Sequence, residues 1–233
     1  MRSLILLSFL FFTISAQAQI KDILNKAKNT IENQGQGEYA SGLKEALEIG
    51  VGAAVDKLSA EKGYLDSPYK ILIPNEAQQI INKVKMVPGF QDVETKLIDQ
   101  MNKAAEIAAK KATPIFVDAI KQMTIQDAVS IVKGSDNAAT MYLEKTSRQN
   151  LYNAFLPVIQ SALDEINART YWASVVKAYN SIPLVKKVNP SLDQHVNDKA
   201  LDGLFSLIAV KELGIRSDVN QRTSDLLKRV FQK

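Results

Sequence analysis

Between Phe90 and Ala112 the chain keeps one apolar face through an unbroken helical repeat, and Pro114 comes directly after it. At 100° per residue, Val93, Leu97, Ile98, Met101, Ala104, Ala105, Ala108, Ala109 and Ala112 fall within an arc of about 160°. Asp99, Lys103, Glu106 and Lys110 lie outside it. The second half of the face is alanine, so a neighbouring helix can approach closely. Asn102 sits at the edge of the arc, four residues before Glu106. The pair reads either as a polar contact at a helix interface or as a solvated rim.

Residues 113–148 read as a run of helical corners. Thr113 is a candidate N-cap with Pro114 at the first helical position, where a missing N–H costs nothing. Ile115, Phe116, Ala119, Ile120 and Met123 then share the core side of a short helix. Thr124 restarts the chain as a second cap, with Asp127 three residues on to face the free N–H groups of the first turn. Gly134 closes that helix and Ser135 opens the next, SDNAATMYLEK.

The ends of the chain are of another kind. Arg2, the apolar run Leu4 to Ile14 and the small-residue site Ala16-Gln17-Ala18 predict a signal peptide over 1–18, cut between Ala18 and Gln19, and a periplasmic or secreted protein. The chain has no cysteine, hence no disulfide framework, no thiolate chemistry and no lipid-bearing residue at the cleavage point. Removing Arg2 lowers the formal net charge of +4 by one, and lysines and carboxylates alternate without a basic block. That charge pattern excludes a nucleic-acid binder. No second apolar run approaches the roughly 20 residues of a membrane span.

Residues 19–38 read as a short helix, with Ile20, Ile23, Leu24, Ala27 and Ile31 at helical spacing, on a flexible tether at NQGQGE. Residues 39–233 read as one all-α domain of about eight helices, several kinked at proline and without a substantial sheet. Its first helix is capped by Ser41 and carries Leu43, Leu47, Gly50, Ala54 and Leu58 on one side. Lys62–Asn75 is a loop with a buried extended piece at Ile71-Leu72-Ile73. A helix over 76–86 ends at the turn Val87-Pro88-Gly89. LYNAFLPVIQSALDEI is helical through Leu151, Phe155, Ile159, Ala162 and Ile166, with a kink expected at Pro157. TYWASVVKAYN aligns Tyr171, Val175 and Tyr179. Asp193–Leu213 is nearly surrounded by core and stops at Gly214, and the last helix runs through Leu226, Leu227, Val230 and Phe231.

The segments GLKEAL (42–47), MNKAAE (101–106), PIFVDAIKQMTIQDA (114–128), AATMY (138–142), ALDGLF (200–205), IA (208–209), GIR (214–216) and LLKRVF (226–231) occur in that order. Together they resemble an uncharacterised bacterial exported family, domain-of-unknown-function family 4197, from about Ala40 to Phe231. The resemblance implies an exported, mostly helical protein with no assigned activity. Many relatives look like lipoproteins, and relatives tend to be acidic where Val210-Lys211 stand here.

Chemical motifs are few. Ser41-x-x-Lys44, Ser135-Asp136-Asn137 and Lys145-Thr146-Ser147 match penicillin-recognising motifs letter by letter, but each has a helix-capping explanation and the required strand is missing. His195, Asp198 and Asp202 share a helix face at metal-ligand spacing, yet with one histidine and no cysteine a solvated polar strip is the reading adopted. No phosphate loop, nucleophile elbow or zinc-protease motif occurs. No catalytic residue, metal or cofactor is therefore predicted. Tyr142, Tyr152, Phe155, Tyr171, Trp172 and Tyr179 concentrate between residues 142 and 179, suited to a surface part apolar and part wet. The site residues chosen are Asn102, Glu106, Tyr142, Tyr171 and Trp172. The leading expectation is a non-catalytic binding or scaffold protein engaging an envelope partner. A carrier of an apolar small molecule or lipid between helices comes second, and a hydrolase pairing acids such as Glu45, Glu106 and Glu212 third. Oligomeric state is left open.

Overall fold

In a computed structural model the described residues are 13–86, 88, 91–184, 186–189, 191–222 and 225–231, with side chains described from residue 35 on except at 76, 84, 178 and 226. They form nine α-helices: α1 (Thr13–Ser59), α2 (Gln78–Val84), α3 (Val93–Ala109), α4 (Ala112–Gln122), α5 (Ile125–Val132), α6 (Ala138–Asp164), α7 (Ala168–Asn180), α8 (Leu192–Ser217) and α9 (Asp225–Val230). No strand occurs among the described residues, so the chain is all-α. None of the described helices is long and apolar enough to cross a membrane. Met1–Phe12, most of the expected signal sequence, and the Val87-Pro88-Gly89 turn, apart from Pro88, lie outside the described residues.

The helices are arranged around α6, which packs most extensively on α8 and α3. Ala139, Leu143, Ser147, Leu151, Phe155, Ile159 and Leu163 are buried, one at every fourth residue, with Thr140 buried beside the first of them. Each step of four advances 40° around a helix of 3.6 residues per turn, so the strip winds through roughly 240°. Several neighbours cover it: α8 runs antiparallel along its length, from Glu212 against Ala139 to Asp193 against Gln160, and α3, α4, α5 and α7 pack on it as well. Burying each of the large apolar side chains, Leu143, Leu151, Phe155, Ile159 and Leu163, contributes about 1.5–3 kcal/mol. This rotation is why the sequence reads as two helices, SDNAATMYLEK and LYNAFLPVIQSALDEI, where the structure has one 27-residue helix. Buried Ser147 satisfies its hydroxyl on the Leu143 carbonyl at 2.6 Å. Pro157 is the proline in the interior of a described helix; Pro114 falls in the first turn of α4.

Three expected boundaries move. The tether at 33–38 is helical, because α1 runs without interruption from Thr13 to Ser59. Gly35 and Gly37 each cost about 1 kcal/mol in a helix interior. Propagation from helix on both sides offsets that, as does the ion pair between Glu38 and Arg229 at 2.9 Å. Ser41 is accordingly inside the helix, its hydroxyl on the Gly37 carbonyl at 3.0 Å, and does not cap it. Thr113 does not cap α4 either: the helix starts at Ala112 with Lys111 at the cap position, and Pro114 is its third residue, where the N–H is still unused by the helix. Gly214 lies within α8, at a point where a side chain would collide with Gln221. The helix ends at Ser217, where Arg222 donates to the carbonyls of Ile215 (3.0 Å) and Arg216 (2.9 Å).

Other expectations hold with a change of reason. Thr124 and Asp127 form the full capping box, Asp127 N–H to Thr124 Oγ1 at 3.1 Å and Thr124 N–H to Asp127 Oδ2 at 3.0 Å. Gly134 does follow α5, but for space: a Cβ there would lie 2.7 Å from that of Ala138. On α7 the buried face is Ala168, Trp172 and Val176, one residue on from the predicted Tyr171, Val175 and Tyr179.

Candidate functional site

Asn102 and Glu106 are buried, at 0% and 7% exposure, and both hold backbone. The segment after α1 crosses α3 as a strap. Glu106 accepts from the N–H groups of Lys62 (3.1 Å), Tyr64 (3.2 Å) and Leu65 (3.5 Å), the turn entered through Lys62 at φ 60°. Asn102 accepts from the Ile71 N–H at 2.8 Å and donates to the Ile71 carbonyl at 2.9 Å and the Ile98 carbonyl at 2.7 Å. It thus satisfies an extended segment that has no sheet to join. Tyr64 is fully buried and donates to the Ala200 carbonyl at 2.7 Å, beside Gly203, where a Cβ would be 3.1 Å from its ring. Burial, then the Glu106 carboxylate, raises the Tyr64 phenol far above its ordinary range. His195 reaches the Leu72 carbonyl at 2.9 Å. Asn102 and Glu106 do not touch one another in place of these bonds; the strap is what they share.

Glu212 is legible in the sequence as a candidate acid, whereas Arg216 is not singled out by it. Glu212 accepts from Ala139 N–H (3.0 Å), Thr140 N–H (2.8 Å) and Thr140 Oγ1 (2.8 Å), which caps the N-terminus of α6. Arg216, one turn on, pairs with it at 2.8 Å and donates to the carbonyls of Ile131 and Val132 at the end of α5. One i,i+4 pair complements two opposite helix poles at one corner. The signal for Arg216 is that spacing on a helix otherwise surrounded by core. Tyr142 stands near the same corner, partly buried, its phenol raised by burial and then by the Asp127 carboxylate.

Tyr171 and Trp172 are elsewhere, in a groove of about 460 Å³ between the first turns of α3 and α7. The turn from α6 puts Asn167 at φ 55°, which asparagine tolerates, and this leaves Ile166 outward and starts α7 at Ala168. Val93, Leu97, Ala168 and Trp172 line the groove, with Ile166 (43% exposed) and Tyr171 (37%) as its apolar rim. Lys96, Gln100 and Asn167 supply its polar edge. Trp172 is 2% exposed and donates from Nε1 to the Asn189 carbonyl at 3.4 Å. It also lines a second depression of about 340 Å³ with Lys186, Lys187, His195 and Asp198.

The five chosen residues thus divide among the strap, the α5–α6 corner and the groove. The motif matches dissolve: Ser41 binds Gly37, while Lys44 donates to the Lys121 carbonyl at 3.1 Å. Asp202 is held by Arg148 at 2.7 Å, and no group of three metal-ligating side chains forms among the described residues. A family model described as "Protein of unknown function (DUF4197)" matches residues 33–232. The chain belongs to that family. No curated protein and no solved structure matches this DUF4197 chain. Asn102, Glu106, Thr124, Asp127, Thr140 and Arg216 all fall inside the segments that carry the resemblance, so those segments hold the polar pins of this fold.

Proposed function

We propose that this DUF4197 chain is a non-catalytic, exported binding protein, and that an envelope partner docks an apolar segment in the groove between α3 and α7. The observation that supports it is the groove itself: about 460 Å³, apolar in lining, with a tyrosine and an isoleucine exposed on the rim and an indole behind them. Its size lies in the range of ligand sites, and its mixture of aromatic anchor and polar edge is that of recognition surfaces.

Two rival readings find less support. A hydrolase would need free carboxylates, and Glu106 and Glu212 are each taken up by peptide N–H groups, Glu212 by Arg216 as well. A lipid carrier would need space between helices. The apolar cavity between α1 and α8, lined by Leu47, Val51, Ile208 and Phe231, offers about 20 Å³, room for one water.

The test is a photoreactive amino acid at Tyr171, and as control at Glu48 on the exposed side of α1, in the native host. A single cross-linked protein at 171 and none at 48, in a periplasmic fraction whose mature chain begins at Gln19, is the expected result. Equal labelling at both positions, or no adduct at 171, would remove the docking reading. A cytoplasmic chain that keeps Met1 would remove the export reading.

A further inference from the structure

The charge around the groove narrows what can occupy it. Lys96, Lys186 and Lys187 line the two depressions that share Trp172, against one carboxylate, Asp198. Lys187 donates to the Asn180 carbonyl and so is held at the rim of the second depression. Lys96 is different. Asp92 and Asp99 stand one turn away on either side, yet among the described residues no carboxylate forms an ion pair with it, and Glu94 is bound by Lys85 at 2.7 Å and by Gln78 at 2.9 Å. An exposed ammonium with no direct ion pair therefore stands at the edge of an apolar groove, with Gln100 and Asn167 on the same lining.

We infer that the docked segment is the C-terminus of the partner polypeptide, with its last apolar side chains against Trp172 and Tyr171 and its terminal carboxylate beside Lys96. The inference rests on the docking reading above and adds the occupant's chemistry. A chain end carries its charge on the same residue as its last side chain, so one residue satisfies both the apolar lining and the Lys96 ammonium. The amides of Gln100 and Asn167 can donate to the second carboxylate oxygen. An internal apolar segment would leave Lys96 without its complement and bring peptide groups into an apolar floor.

Trp172 is the one tryptophan in the chain, so its emission reports on the two depressions it lines, and only the groove between α3 and α7 contains Lys96. The experiment titrates the whole purified chain with acetyl-Leu-Phe as the free acid and as the C-terminal amide. The acid is expected to change the emission saturably and the amide to bind about fivefold more weakly, the contribution of one partly exposed ion pair. Lys96→Gln, an exposed change, should abolish that difference and leave the unfolding midpoint where it was. Equal binding of acid and amide would overturn the carboxylate inference and leave the docking groove standing. Binding of neither, by emission and by equilibrium dialysis, would overturn both. Saturable binding of decanoate without either peptide would overturn the chain-end inference in favour of a small-molecule site.

Discussion

Replacing Glu212 tests the packing logic of the fold most directly. Glu212→Ala deletes three hydrogen bonds to the first turn of α6 and strands Arg216, whose side chain is 10% exposed. Removing one member of a buried ion pair costs about 3–5 kcal/mol. Loss of a helix N-cap alone costs about 0.5–2 kcal/mol, and because the two effects share one carboxylate they do not simply add. A loss of about 3–5 kcal/mol is expected, a large part of the roughly 5–15 kcal/mol that holds a typical domain together. Glu212→Gln keeps the shape and one acceptor and should lose about half as much, which keeps the experiment readable if the alanine variant is too unstable. The assay is urea unfolding followed by far-UV circular dichroism, reading the midpoint at unchanged slope. Arg216→Met alone and combined with Glu212→Gln completes a double-mutant cycle, with a coupling of about 1–3 kcal/mol expected. An alanine variant that loses under about 1 kcal/mol, or a cycle that adds without coupling, would refute the idea that one pair fastens both helix ends.

Two other predictions concern the strap. The Tyr64 phenol is raised by burial and by Glu106, so above pH about 10 the unfolded chain gives up that proton while the folded chain keeps it. Stability contributed by Tyr64 is complete below that pH and falls by about 1.4 kcal/mol per pH unit above it. Tyr64→Phe should flatten the alkaline limb by that slope relative to the parent; parallel limbs would contradict it. Asn102→Ala leaves the Ile71 N–H and carbonyl without partners, costing about 2–5 kcal/mol, and should bring amide exchange at Ile71 well ahead of that at Leu151. An Ile71 amide that still exchanges in step with Leu151 would show that the strap is held by something else.

The sequence makes most elements legible and misplaces their ends, for a common reason. Periodicity fixes which side of a helix is buried when the apolar residues keep to one face, as on α3 and α4. On α6 the buried positions recur every fourth residue, so the strip rotates around the helix and the pattern reads as a restart. Local cap signals succeed where the cap is a local bond, as at Thr124 and Asp127. They fail at Ser41, Thr113 and Gly214, where contacts from α9, the preceding helix or Gln221 decide the matter. The groove is half legible. Tyr171 and Trp172 announce an amphipathic surface, but Lys96 and Ile166 carry no signal until α3 and α7 are brought side by side.

The same physics explains why the obvious polar candidates hold backbone. A fold built of short helical corners exposes many unpaired helix ends, and a strap without a sheet exposes more. Each buried peptide group needs a partner, and in this chain the partners come from long helices that pass nearby: Asn102 and Glu106 on α3, Glu212 and Arg216 on α8. Carboxylates and amides held in that way have their lone pairs filled and their positions fixed, which suits them to architecture and leaves little for substrate. The docking surface proposed above is of the other kind: at the rim of the groove Ile166, Tyr171 and Lys96 are exposed. Function in this DUF4197 chain is therefore to be sought by changing surface residues, since changing the buried acids will report on folding first.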